Sequence, residues 1–158
     1  MNKVIGITLG LLVVAINSWS APKQLSVNDV SASNLKIILS EKYGTSIDEE
    51  GILIVHRGKN QQVVVIIDQK EKTITFWNAW IAKPAVTREK CFELINNWLN
   101  NHSVFVTAYD NENKRFARAY VMTFKGGIIV ENFTTMLDEY FIDDEDFVKH
   151  FYDAGVLK

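Results

Sequence analysis

Val63-Val64-Val65-Ile66-Ile67 is apolar at consecutive positions. Side chains along a strand point alternately to its two faces, so this strand carries hydrophobic groups front and back. The next strand-like run behaves the same way: Trp77 falls on one parity, while Ile74, Phe76 and Trp80 fall on the other. A sheet with one wet face alternates polar and apolar residues instead. Both faces of this sheet therefore call for cover, from helices, from a second copy of the chain or from a partner protein. Trp77 and Trp80 are the candidate protein-binding residues on that ground.

Turn residues divide the rest of the chain. A helix starts near Asn28 or Ser31 and stops at Gly44, a residue type favoured just past helix ends. Asp48-Glu49-Glu50-Gly51 turns the chain into three runs, Ile52 to Arg57, Gln62 to Ile67 and Thr73 to Ile81. Their short connections predict antiparallel neighbours. Thr87 caps a second helix that reaches about Asn101, with Cys91, Leu94 or Ile95, and Trp98 on its inward stripe. Ser103 to Tyr109 and Arg115 to Phe124 form a hairpin across Asp110-Asn111-Glu112-Asn113. Gly126-Gly127 ends it, and a last helix, with a kink near Asp143, runs to Gly155. The order α-β-β-β-α-β-β-α predicts an α+β fold with a five-stranded antiparallel sheet and three helices.

Residues 1–20 read as a signal peptide. Lys3 gives a positive start, Val4 to Ile16 is mostly apolar, and Ser18 and Ser20 are the small residues that precede cleavage at Ala21. The run is shorter than the roughly 20 apolar residues of a spanning helix, although an uncleaved anchor is the alternative reading. Ala21 to Val27 reads as a flexible leader and residues 28–158 as the folded domain. Export to the periplasm or medium follows, with no membrane contact after cleavage.

The chain carries formal charge −2, and Glu131 to Lys158 holds eight acidic residues against two lysines. Neither balance supplies the concentrated basic face that nucleic acid requires. Asp143-Asp144-Glu145-Asp146 lacks the spaced ligands and central glycine of a calcium loop and reads as a solvated helix face. Lys114, Arg115, Arg118 and Lys125 form a basic group on the last hairpin, read as exposed and locally neutralised by that helix. His56, His102 and His150 have no zinc-ligand spacing. Cys91 is the only cysteine; it allows no internal disulfide and reads as a small core residue. No nucleophile elbow or phosphate loop occurs, so neither an enzyme nor a cofactor is expected.

Leu94-Ile95-Asn96-Asn97-Trp98-Leu99-Asn100 is the most distinctive block. With the strand, polar turn and strand that follow it and Gly126-Gly127-Ile128, it resembles the YbjN family of small bacterial proteins. The family ends this helix in a hydrophobic-Asn-x-Trp-Asn pattern, from which Leu99 departs. A helix ending at Tyr43-Gly44 and an acidic turn at Glu50-Gly51 extend the resemblance over Ser31 to Phe151. It implies a fold like that of type III secretion chaperones and a sensory transduction regulator label that names no reaction. Many relatives are cytoplasmic, so the signal peptide is a departure.

These readings converge on a non-enzymatic exported protein-binding module, chaperone-like or regulatory, acting on a protein partner or as a homodimer. The competing reading is a small-molecule binder or hydrolase with a pocket between helix and sheet, lined by Trp77 or Trp80 and reaching a histidine. A third is a structural or inhibitory protein acting through the acidic last helix. N-terminal sequencing of the protein recovered from the cell envelope or medium is expected to begin at Ala21. A chain that still starts at Met1 would remove the cleaved signal.

Overall fold

The computed structural model describes residues 23–102 and 104–158. The expected signal peptide, with Ala21 and Pro22 of the leader, lies outside them. Three hairpin turns are built alike: each opens on an aspartate whose side chain accepts two backbone N–H groups. Asp48 takes Glu50 and Ile52, Asp68 takes Lys70 and Glu71, and Asp110 takes Glu112 and Asn113. These turns connect strands β2 (Gly44–Ile47), β3 (Leu53–Arg57), β4 (Gln61–Asp68), β5 (Thr73–Ile81), β6 (Val106–Asp110) and β7 (Arg115–Thr123). The six form one antiparallel sheet in the order β2-β3-β4-β5-β7-β6. A separate two-stranded ladder pairs β1 (Gln24–Leu25) with β8 (Ile128–Ile129).

Five strands were expected in the main sheet and six are present. The extra one is β2, which begins at the glycine read as a helix stop. Helix α1 (Ala32–Leu39) opens at Ser31, whose hydroxyl accepts the Asn34 N–H, and ends well before Gly44. Gly44 faces His56 across the ladder with its Cα side against that side chain, so the glycine serves close strand pairing. The stretch expected as a leader carries β1, and the Lys23 carbonyl accepts the N–H of Val130.

Helix α2 (Arg88–Leu99) is capped by Thr87 as its sequence predicts, and α3 (Val130–Asp153) continues through Asp143 without a break. The end of α3 is a Schellman motif. Val156 N–H donates to Phe151 C=O, Gly155 N–H donates to Tyr152 C=O, and Gly155 takes φ +75°. Val156 then packs on Phe151, and the tail returns to the sheet, where Leu157 bridges Ala82.

Two apolar clusters fill the space between sheet and helices. The first joins Leu35 and Leu39 of α1, Val55, Val65 and Phe76 of the sheet, and Phe133, Leu137 and Phe141 of α3. The second joins Cys91, Ile95 and Trp98 of α2 to Phe116 and to Phe147 and Phe151 of α3. Helix α3 thus belongs to both. Tyr43, just past α1, donates its hydroxyl to Asp138 at 2.7 Å and is pushed up to about 12 by burial and that carboxylate.

Gly127 holds the small ladder together. Its φ is +85°, and a Cβ there would stand 2.4 Å from the carbonyl oxygen of Leu25. Gly127→Ala is expected to lower unfolding free energy by about 1–3 kcal/mol, read by urea denaturation. An unchanged midpoint would mean that β1 is not docked there.

Candidate protein-binding surface

Strand register assigns every side chain to a face. Val55, Val63, Val65, Phe76, Phe116 and Tyr120 share the parity buried by the helices. All three described α-helices pack on that face. The opposite parity forms an unbroken row across six strands: Ser46, Ile54, Val64, Trp77, Ala119 and Val106 are successive cross-strand partners. Beside it run Ile66-Thr75-Val121 and Ala79-Ala117-Ala108. None of these residues is charged, and none belongs to either apolar cluster. Val106 is 67% exposed, Val121 58% and Ile66 40%, so the face is bare. Asp68 lies at one end of it, and Asp110 pairs with Arg115 at 3.1 Å at the other.

The sheet also splits. β4 stays paired with β3 as far as Gln61, and β5 stays paired with β7 as far as Ile81. The β4–β5 ladder, however, stops at Val64 and Trp77. A wedge opens between Gln61-Gln62 and Asn78-Ile81, floored by α3, with a volume of about 880 Å³. Trp77 and Trp80 lie on opposite faces of β5 and both line this wedge. Trp80 packs its ring 5.1 Å from that of Phe147. Val148 and Tyr152 add apolar floor, and Asp144 is the acid at its depth. A pocket between helix and sheet lined by a tryptophan is therefore present, but no histidine lines it.

Behind the wedge lies a polar centre that the sequence reading missed. Arg118, expected on an exposed basic patch, is fully buried. Its Nη1 donates to Asp144 at 3.3 Å and its Nη2 to Asp143, while Asn78 Nδ2 donates to Asp144 at 3.0 Å. The rings of Phe147, Phe105, Tyr140 and Trp98 surround the guanidinium at 4.9–5.8 Å. Asp143 and Asp144 thus turn inward, and only Glu145 and Asp146 form the solvated face expected of that run. Parity carried the signal: Arg118 alternates with Phe116 and Tyr120, both on the core side.

The histidines hold no common site. His102 stacks on Trp98 at 3.7 Å and bonds Asp143 through Nδ1 at 2.8 Å, and His150 approaches the same indole at 5.5 Å. His56 lies on the bare face opposite Gln62. No cluster of three or more metal-ligating side chains occurs among the described residues. Cys91 is buried as expected, and burial pushes its thiol up.

A sheet clad by helices on one side and bare on the other defines a two-layer α+β fold. The chain belongs to the YbjN family: its model, described as "Putative bacterial sensory transduction regulator", matches residues 33–153. The crystal structure of YbjN from E. coli superposes with TM-score 0.69 at 11% identity, covering 85% of this chain and 98% of that one. ExsC, in the structure of the ExsC–ExsE complex, gives 0.51 at 14% identity over 73% and 91%. A search of curated proteins returns no match.

One cation faces two carboxyl groups here, and Asp144, the deeper of the two, is pushed up by burial to about 7 despite Arg118. The folded state therefore holds a proton on Asp144 that the unfolded chain has released at a pH near the ordinary 3.8. The stabilisation is full below that value and is lost as pH rises through about 7, by up to about 1.4 kcal/mol per pH step. Asp144→Asn replaces the carboxyl with an amide that stays neutral at every pH, so its urea midpoint is expected to stay flatter between pH 5 and 8 than wild type. Parallel profiles would show Asp144 ionised throughout.

Proposed function

We propose that this chain is a non-enzymatic, exported protein-binding module, chaperone-like or regulatory, that works through the bare face of its sheet. The row from Ile54 to Val106 carries the reading. An uncharged, largely apolar row that crosses the whole sheet costs free energy in water, at about 25 cal/mol per Å², and contiguous patches of this kind mark interaction sites. The acids and Arg115 at its ends resemble a polar rim around an apolar centre. Membership of a family described as a regulator and a fold shared with a protein solved in complex with a polypeptide partner support the same reading. Asp144, Glu145 and Asp153 line the wedge with Lys149, and the deepest of these acids, Asp144, is already engaged by Arg118 and Asn78, which fits binding better than turnover.

Export rests on the signal-like residues 1–20. A role outside the cytoplasm suits a domain whose lone thiol is buried, since no exposed cysteine is offered to oxidation. The occupant of the face is a partner protein or a second copy of the chain.

The test is site-specific photo-crosslinking in the producing cell. A benzophenone side chain at Val106 or Val121 is expected to trap one defined polypeptide, or the chain itself. The same group at Ile37, equally exposed on the helical side, is expected to trap neither. Equal yields from all three positions, or none from the sheet, would overturn the proposal.

A further inference from the structure

The flanking hydrogen bonds fix the phase of the β5 ladder. Phe124 N–H donates to Lys72 C=O, and Ala82 N–H donates to Lys114 C=O. Even-numbered residues of β5 therefore bond β7, and odd-numbered ones turn their N–H and C=O to the other side. Trp77 meets Val64 of β4 there, and the Ile81 carbonyl accepts the N–H of Lys158 from the tail. Ala79 lies between them. Its N–H and C=O point into the wedge, and its natural partner, Gln62, is the next residue of β4 to face β5 beyond the end of the ladder. Gln62 bonds neither β3, which takes the odd-numbered residues of β4, nor β5. Each wall of the wedge thus presents one backbone donor and one acceptor without a ladder partner.

The tail shows what such an edge accepts. Leu157 is seated antiparallel against Ala82 on this same side of β5. A segment lying next to Ala79 would continue that line toward Val64. Its side chains would alternate between Trp77 on the bare face and the floor of Trp80, Val148 and Tyr152. Each side offers apolar surface, Val64, Trp77 and Ile81 on one and Trp80, Val148 and Tyr152 on the other, with Arg115, Glu145, Lys149 and Asp153 supplying charge around them. A volume of about 880 Å³ falls within the size of sites that enclose a short ligand.

We infer that the wedge between β4 and β5 is a docking slot for a short extended segment of a partner polypeptide, apolar on both faces, which adds to β5 by main-chain pairing with Ala79. The slot rests on the protein-binding reading above and gives it a second, chemically distinct contact: backbone pairing supplies affinity and the two aromatic walls supply selectivity.

A displayed library of short random peptides, panned against the purified protein, tests it. Enriched sequences are expected to carry consecutive apolar residues. The best of them, synthesised and bound, is expected to slow amide exchange at Ala79 and Gln62 by about tenfold or more. Methylating the peptide's own amide nitrogens one at a time should weaken binding by about tenfold only at alternate positions, a readout that leaves the protein's folding untouched. Ile81→Glu at the slot's exposed lip should weaken binding by about tenfold as well, and Val121→Lys should not. Peptides that protect Val106 and Val121 instead, methylation that matters nowhere, or a failure to enrich any peptide would each overturn the slot. Crosslinks from Val121 alongside failed panning sink the slot alone, whereas silence in both experiments sinks the binding reading with it.

Discussion

Arg118 is the residue on which the arrangement of layers depends. It lies where the two apolar clusters meet, and its guanidinium reaches α3 through Asp143 and Asp144. Asn78 on β5 joins through Asp144, and His102, just past α2, joins through Asp143. Apolar spacing alone specifies the placement of this 24-residue helix less sharply against a one-turn slide, because Phe133, Leu137 and Phe141, and again Phe147 and Phe151, recur four residues apart. The ion cluster forbids that slide. Moving α3 one turn would strand a buried cation, and breaking such a pair costs about 3–5 kcal/mol. The centre fixes register more than it adds stability.

That register decides which face of the sheet stays bare. Helix α3 is about 36 Å long at 1.5 Å per residue, enough to cross six strands spaced about 4.8 Å apart. Anchored at its middle, it carries α1's cluster at one end and α2's at the other. All the helical mass is thereby gathered on one side, with none left to cross to Trp77 and Val64.

The sequence made the need for cover legible and hid where it would be met. Val63 and Val65 are alike in type to Val64 and Ile66, so parity says that two faces are apolar without saying which one the helices choose. Thr87 and Gly155 spoke clearly because a cap is a local matter of hydrogen bonds within one turn. Gly44 misled for the opposite reason: a glycine past a helix serves equally as a stop or as a close-packed strand residue, and only the partner His56 separates the two. Arg118 was misread through residue type. A charged residue on a strand is usually exposed, and its inward parity is outweighed until the two aspartates 25 and 26 residues later are seen to meet it.

The wedge is the result of two strands being held by different neighbours. At the start of β4, Gln61 Nε2 donates to Glu145 at 3.2 Å and to the Phe141 carbonyl at 3.5 Å, which draws that end toward α3. At the end of β5, the Ile81 carbonyl is taken by Lys158 and the ladder to β7 runs its full length. Zipping Gln62 to Ala79 on β5 would gain two main-chain bonds at about 1 kcal/mol each. It would also pull Gln61 from the helix and crowd Asn78, whose amide holds the buried Asp144. The open form gives up the weaker set of contacts to keep the one that locates α3. The unpaired groups of Gln62 and Ala79 are therefore left open by the same centre that orders the rest of the fold, so a segment filling the wedge would complete the sheet without disturbing it.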